Sequence, residues 1–257
     1  MPVIRLNIEY DGTAYCGWQN QLNGLSVQAC IENAIASYTG ERIPITGAGR
    51  TDAGVHAAGQ VAHFCTAFPI PHDRWSHALN TKLPPDIRIK SSYAAHDGFN
   101  AQYDAVGKHY RYTFYCNEHA SALYGRYSWH VKVIHHIDKM QKAVALFEGT
   151  HDFSCFMAAS AQTRTVKRTI FKSILHTQDN RIYYDVWGDG FLYNQVRIMA
   201  GTLYYIGLGK MTHDDAVQLL SGGDRAQAGP TAPPHGLCLQ NVYYEREAME
   251  RSWTQLT

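Results

Sequence analysis

Strand-type alternation recurs at the start, the middle and the end of this chain, and the helical stripes between those runs keep no regular beat. "VIRLNIEYDG" sets Ile4, Leu6, Ile8 and Tyr10 against Arg5, Asn7 and Glu9, the pattern of a half-buried strand ending in an Asp-Gly turn. "GKHYRYTFYC" places Tyr110, Tyr112 and Phe114 on one face and Arg111, Thr113 and Tyr115 on the other. "TIFKSILHT" and "RIYYDVWGD" flank the turn "QDN" as a hairpin, and "LCLQNVYYE" supplies a last alternating strand. Among these runs, Ser26 caps a helix striped by Val27, Cys30, Ile31, Ala34, Ile35 and Tyr38 and stopped at Gly40. Further helices are expected in "HDRWSHALNTKL", which Pro84-Pro85 ends, from Ile137 to Phe147, in "GFLYNQVRIMAGTLYYIGLG", which embeds Arg197 in an apolar stretch, and in "THDDAVQLLSG". Strands and helices mix without β-α-β-α order, so the expected class is α+β with antiparallel pairing, not a doubly wound sheet. Each half holds a strand, a helix, a strand-rich segment and a second helix, which places the expected division at lobes 1–104 and 105–257.

Apolar residues make up 45% of the 257 and charged residues 18%, a globular balance that excludes a disordered chain. The opening "MPVIRLNIEYDG" has no apolar run suited to a signal peptide, and no stretch of about 18 apolar residues occurs. A cytoplasmic protein with no membrane span is the expectation. None of the six cysteines stands in a C-x-x-C pair, and neither H-E-x-x-H nor H-x-E with a later P-C-x-x-C is present, so no metal is expected. A net charge of +1 does not announce a nucleic-acid binder. The run "RTVKRTIFK" at 164–172 carries four basic residues and no acidic one, which from charge alone is a solvated strand face.

The stretch "GAGRTDAGVHAAGQ", residues 47–60, sets Arg50 and Asp52 among four glycines and four alanines. Glycine admits positive φ and lets another molecule approach closely, so the run is a shaped loop presenting two polar groups. It is not a dinucleotide loop: the third glycine of G-x-G-x-x-G falls on Asp52, and a strand follows where a helix is required. An Asp beside an Arg stays ionised at neutral pH and is available as a nucleophile or electrostatic stabiliser. The alternative is a turn held by a surface ion pair worth about 0 to 1 kcal/mol.

"GRTDAGVHA", with "YDGTAYCGWQNQ", "SVQACIENAI", "KHYRY", "HDFSCF", "GFLYNQVRIMAGTL" and "GPTAPPHGL", in that order and over nearly the whole chain, resembles the TruA family of tRNA pseudouridine synthases. The resemblance implies the pseudouridine synthase fold, with two lobes around a central antiparallel sheet and flanking helices. It also implies a homodimer and a cofactor-free isomerisation of uridine to pseudouridine in the anticodon stem-loop of tRNA. The family's nucleophilic aspartate maps onto Asp52, attacking C6 of the base or C1′ of the ribose. Tyr110 corresponds to the tyrosine that stacks on the target base and is a candidate for taking the C5 proton. Arg197 corresponds to the arginine that orients the carboxylate, and Arg50 to the one that enters the space left by the flipped base. Leu237 matches a leucine that packs on the uracil.

A phenol with pKa about 10 is a poor base at neutral pH unless a cation helps, a part open to Lys108 or an arginine. In an RNA-binding chain the 164–172 run becomes a candidate for holding the RNA backbone, through Arg164, Lys167 and Arg168. Two departures stand out: Gln195 replaces a usual methionine, and Cys238 a common tyrosine. Two other readings remain, a tRNA-binding or RNA-folding module without turnover and a hydrolase pairing Asp52 with a second acid.

Overall fold

The structure, a computed structural model, describes residues 1–21, 24–158, 163 and 165–255; Arg164, the first cation of the basic run, lies outside them. The chain divides into two compact units, Met1–Val106 with Leu239–Glu250, and Gly107–Cys238 with the segment from Arg251 onward.

In the first unit β1 (Val3–Tyr10), α1 (Val27–Thr39), β2 (Thr46–Gly47), β3 (His56–Cys65), α2 (Trp75–Asn80) and β4 (Ile87–Ala95) follow one another. β1 lies between β4 and β3, antiparallel to both, with Ile4 opposite Phe64 and Ala94. The alternation in β1 buries Ile4, Leu6, Ile8 and Tyr10 on one face, where Phe64 meets Trp75 edge to face at 5.1 Å. The Ser26 hydroxyl accepts the Ala29 N–H at the start of α1, and Gly40, at φ 75°, ends it. Ahead of the Arg50–Asp52 loop the strand β2 is two residues long, Thr46–Gly47. Pro44 has no N–H to give a ladder, and the polar groups of Ile45 go to α1 instead. Its N–H donates to Glu32 Oε1 and its carbonyl accepts from Gln28 Nε2.

In the second unit come β5 (Gly107–Cys116), β6 (Trp129–Val131), α3 (Ile137–Ala143), β7 (Gly149–Asp152), β8 (Lys167–Gln178), β9 (Arg181–Gly188), α4 (Gln195–Gly207) and α5 (His213–Leu220). β10 (Leu237–Tyr243) and α6 (Arg246–Thr254) close the described chain. β5, β9, β8 and β7 lie side by side in that order, each antiparallel to the next. β6, three residues long, pairs parallel to β5. The β8–β9 hairpin turns where it is expected, with Gln178 opposite Arg181 and Asp179 taking the positive φ of 54°. α3 stops at Ala143 and tightens into a 3₁₀ turn over Val144–Phe147, so the expected helix is present in two parts.

The second unit's sheet has two unlike faces. Tyr110, Tyr112 and Phe114 are buried on the first, with Tyr184 and Val186 from β9. On the second, Asp185 is fully buried, accepting from His109 Nε2 at 2.6 Å and Arg111 Nε at 2.8 Å, with His176 Nδ1 at 3.6 Å. The His109 ring stacks on Trp187 at 4.0 Å.

Candidate active site

Residues 48–55 join β2 to β3, and their backbone is tied down almost residue by residue. The Ala48 N–H reaches the Val61 carbonyl at 2.7 Å. Gln60, fully buried, gives its side-chain N–H to the Gly49 carbonyl at 2.9 Å. The hydroxyl of Thr51, also buried, lies 2.7 Å from that of Tyr10, and its carbonyl accepts the Trp18 N–H at 3.1 Å. The Asp52 carbonyl accepts the Val55 N–H at 3.1 Å across a turn in which Gly54 takes φ 76°.

The segment "YDGTAYCGW" is the bed on which this loop lies. A Cβ on Gly12 would stand 2.0 Å from the Val55 carbonyl oxygen, and one on Gly17 2.5 Å from that of Thr51. Those glycines let two backbones approach where any larger residue would force them apart. The outcome is a half-buried Asp52 on a fixed main chain, with Arg50 exposed beside it. Arg50 forms no hydrogen bond or ion pair with any described residue, so a surface ion pair between Arg50 and Asp52 is not what shapes the loop.

The other site residues expected from sequence belong to the second unit. Tyr110 lies on β5 opposite Val186, its buried ring edge to face with Phe191 at 5.2 Å. Arg197, half-buried on α4, donates from Nε to the Ala232 carbonyl and from Nη1 to Asn194 Oδ1, both at 2.7 Å. Asn194 takes φ 63° just before the helix, and Gln195 accepts the Leu192 N–H at 2.7 Å. The departure at Gln195 therefore has a local role: its amide closes the turn into α4 from a buried position. Leu237 is buried at the start of β10, after a 3₁₀ turn over Pro234–Gly236.

The loop that leads to Leu237 is pinned in its turn. The Tyr112 hydroxyl donates to the Pro233 carbonyl at 2.9 Å, and a Cβ on Gly236 would strike the Tyr112 ring at 2.6 Å. Burial pushes the Tyr112 phenol well above its ordinary pKa, against the pull of Arg197, so this hydroxyl stays a donor. Gln60, Asn194 and Phe191 were not singled out from the sequence, although Gln60 closes the 47–60 stretch and Asn194 and Phe191 fall inside one of the motif blocks. Among the described residues no three His, Cys, Asp or Glu side chains gather in a way that could hold a metal, and no helix is long and apolar enough to cross a membrane.

Residues 7–104 and 143–245 match the profile of the tRNA pseudouridine synthases, RNA-modifying isomerases. The chain belongs to that family. It is similar to proteins named tRNA pseudouridine synthase A from Ruminiclostridium cellulolyticum, 48% identical over 245 residues (95% of this chain, 100% of that one), and Acetivibrio thermocellus, 47% over 244 (95% and 100%). A third relative of that name, from Syntrophotalea carbinolica, is 45% identical over 244 residues (95% and 97%).

Proposed function

We propose that this chain isomerises uridine to pseudouridine in the anticodon stem-loop of tRNA, with Asp52 as the nucleophile. The observation that carries the reading is the Asp52 loop, whose backbone is fixed on both sides so that a half-buried carboxylate is held on a preformed support. Family membership and relatives named for tRNA pseudouridine synthesis support the substrate class.

The N1–C1′ bond breaks and a C5–C1′ bond forms, while C5 loses a proton and N1 gains one. Nothing is oxidised or reduced and no net atom enters or leaves, so the chemistry needs a nucleophile, a group that takes the C5 proton, and a proton for N1, which solvent can supply. Asp52 captures C6 of the uracil or C1′ of the ribose. Tyr110 stacks on the base and takes the C5 proton, and Arg197 orients the carboxylate through a charge-assisted contact. The base must first leave the stack, at a cost of a few kcal/mol. Arg50, exposed and unspent on the protein, fills the vacated space, and Leu237 packs on the uracil. Lys167 and Arg168 hold the RNA backbone, and the enzyme works as a cytoplasmic homodimer.

The test maps pseudouridine by mass spectrometry, with pseudouridine-specific labelling, in unmodified tRNA transcripts incubated with wild type and with Asp52→Ala. Pseudouridine in the anticodon arm with wild type only is the expected result. Release of free uracil would mark a hydrolase instead, and tight tRNA binding without product would mark a non-catalytic module. Light scattering of the purified chain checks the dimer.

A further inference from the structure

Two residues before Tyr110, on the same face of β5, stands Lys108, opposite Gly188 of β9. Gly188 is closed in by Ile170 and Phe191, whose atoms would lie 3.0 and 3.1 Å from a Cβ there, and Phe191 is the ring that meets Tyr110. Lys108 is half-buried, and burial lowers its pKa against the attraction of Asp189, with Arg168 adding repulsion. Its ammonium makes no hydrogen bond or ion pair with any described residue.

The neighbouring charges do not settle that cation. Asp189 spends Oδ1 on the Thr169 N–H at 3.1 Å. Arg168 gives Nη1 to the carbonyls of Thr165 and Lys167, at 2.9 and 2.7 Å. Nε of Arg168 lies 3.7 Å from where a Cβ on Gly190 would stand, over a residue with no side chain to cover it. Lys108 on β5 and Ile170 on β8 both stand opposite Gly188, two residues from Tyr110 and Arg168 in turn, and Arg168 and Asp189 are the charges that act on Lys108. A desolvated ammonium without a partner is costly, and an anion brought in by a ligand would relieve it. Lysine is a point-charge binder of phosphate, and an arginine alongside adds a planar set of donors. Along a strand rising 3.4 Å per residue, Lys108 and Tyr110 stand about 7 Å apart, within the reach of a single nucleotide.

We propose that Lys108, with Arg168 beside it, is a phosphate-binding residue that takes a phosphodiester oxygen of the RNA chain next to the nucleotide received by Tyr110. The inference rests on the RNA-modifying reading of the site and adds to it the anchor that sets the backbone of the substrate. Lys108 acts in binding and does not touch the reacting atoms.

The experiment measures binding of an unmodified tRNA anticodon stem-loop to the full chain between about 50 and 200 mM salt, for wild type, Lys108→Met and Lys108→Arg. Lys108→Met should weaken binding about tenfold at the low end and lower the salt slope by about one, while Lys108→Arg keeps the slope. In turnover, KM should rise more than kcat falls. A second arm needs no variant: in wild type, one methylphosphonate linkage beside the target uridine should remove the same slope, and in Lys108→Met it should remove nothing further. A folded Lys108→Met with wild-type slope, or a neutral linkage without effect at every position flanking the target, overturns the proposal. Failure of the isomerase reading is separate, since it would leave the slope effect in place with no pseudouridine formed.

Discussion

Gly17 and Thr51 lie so close that a Cβ on the glycine would stand 2.5 Å from the threonine carbonyl oxygen, one residue before Asp52. Gly17 also takes φ 110°, where a side chain is strained even in open space. Gly17→Ala should therefore cost about 2 kcal/mol or more and shift the catalytic loop, lowering kcat in the molecules that still fold. Gly40→Ala is the contrast: φ is 75° there, but nothing lies within 4 Å of the added Cβ. It should cost about 1 kcal/mol of backbone strain and leave turnover unchanged. Urea unfolding and pseudouridine formation on both variants decide it; equal effects would mean that the close approach at Gly17 does not position the loop.

The guanidinium of Arg197 is held in two directions, by the Ala232 carbonyl through Nε and by Asn194 Oδ1 through Nη1. Lysine offers a single charged point and cannot reproduce that fork. Arg197→Lys should fold, with a melting temperature within a few degrees of wild type, and lose on the order of tenfold or more in kcat. Asn194→Ala removes one clamp and places alanine at φ 63°, so its larger effect should be on stability, about 1 kcal/mol. Wild-type kcat in Arg197→Lys would remove Arg197 from the orienting role.

The sequence made the repeating elements legible and left the long-range ties unseen. Alternation in "VIRLNIEYDG" and "GKHYRYTFYC" named the buried faces of β1 and β5, and Ser26 and Gly40 marked the ends of α1, because each is a local property of the chain. β6 is three residues long, too short for a period to register. Glu32 belonged by spacing to the polar side of α1, yet it is buried, taking hydrogen bonds from Asn20, Gln28, Arg42 and Ile45. Partners so scattered leave no mark on periodicity. At the site, Asp52 and Arg197 stood out as charges in runs of small or apolar residues, but their roles came from family resemblance. That Arg197 is clamped by Asn194 and by a carbonyl 35 residues away follows only from the folded chain.

Asp185 on β9 is the polar centre of the sheet face turned away from Tyr110. Burial alone would raise its carboxyl pKa, but the hydrogen bonds and charges of His109 and Arg111 outweigh burial and hold it below the ordinary carboxylate value. Asp185→Asn leaves Arg111 and His109 facing a neutral amide in a buried setting, which should cost about 3 kcal/mol. Turnover per folded molecule should be unchanged, because neither Asp185 nor its partners share a face with Tyr110. Chemical denaturation gives the first quantity and active-site-normalised kcat the second; a stable Asp185→Asn would show that the network adds little to the fold.

Burial lowers the pKa of His109, His176 and His63, each against a carboxylate that pulls the other way, Asp185 for the first two and Asp104 for the third. As pH falls through about 6.5, the unfolded chain takes up protons at these positions before the folded chain does. Stability is thus fully present above that value and declines below it, down to the folded-state values. Asp185 does not contribute in this window, because a carboxylate with a depressed folded pKa loses its stabilising effect only as pH falls through that lower value. Urea unfolding at a series of pH values from 8 to 5 should show a level stability that turns downward near pH 6.5. In His109→Gln, which removes the most buried of the three from the titration, the downturn should be shallower. An identical downturn in that variant would mean that His109 binds protons equally in both states, contrary to its burial against Trp187 and Asp185.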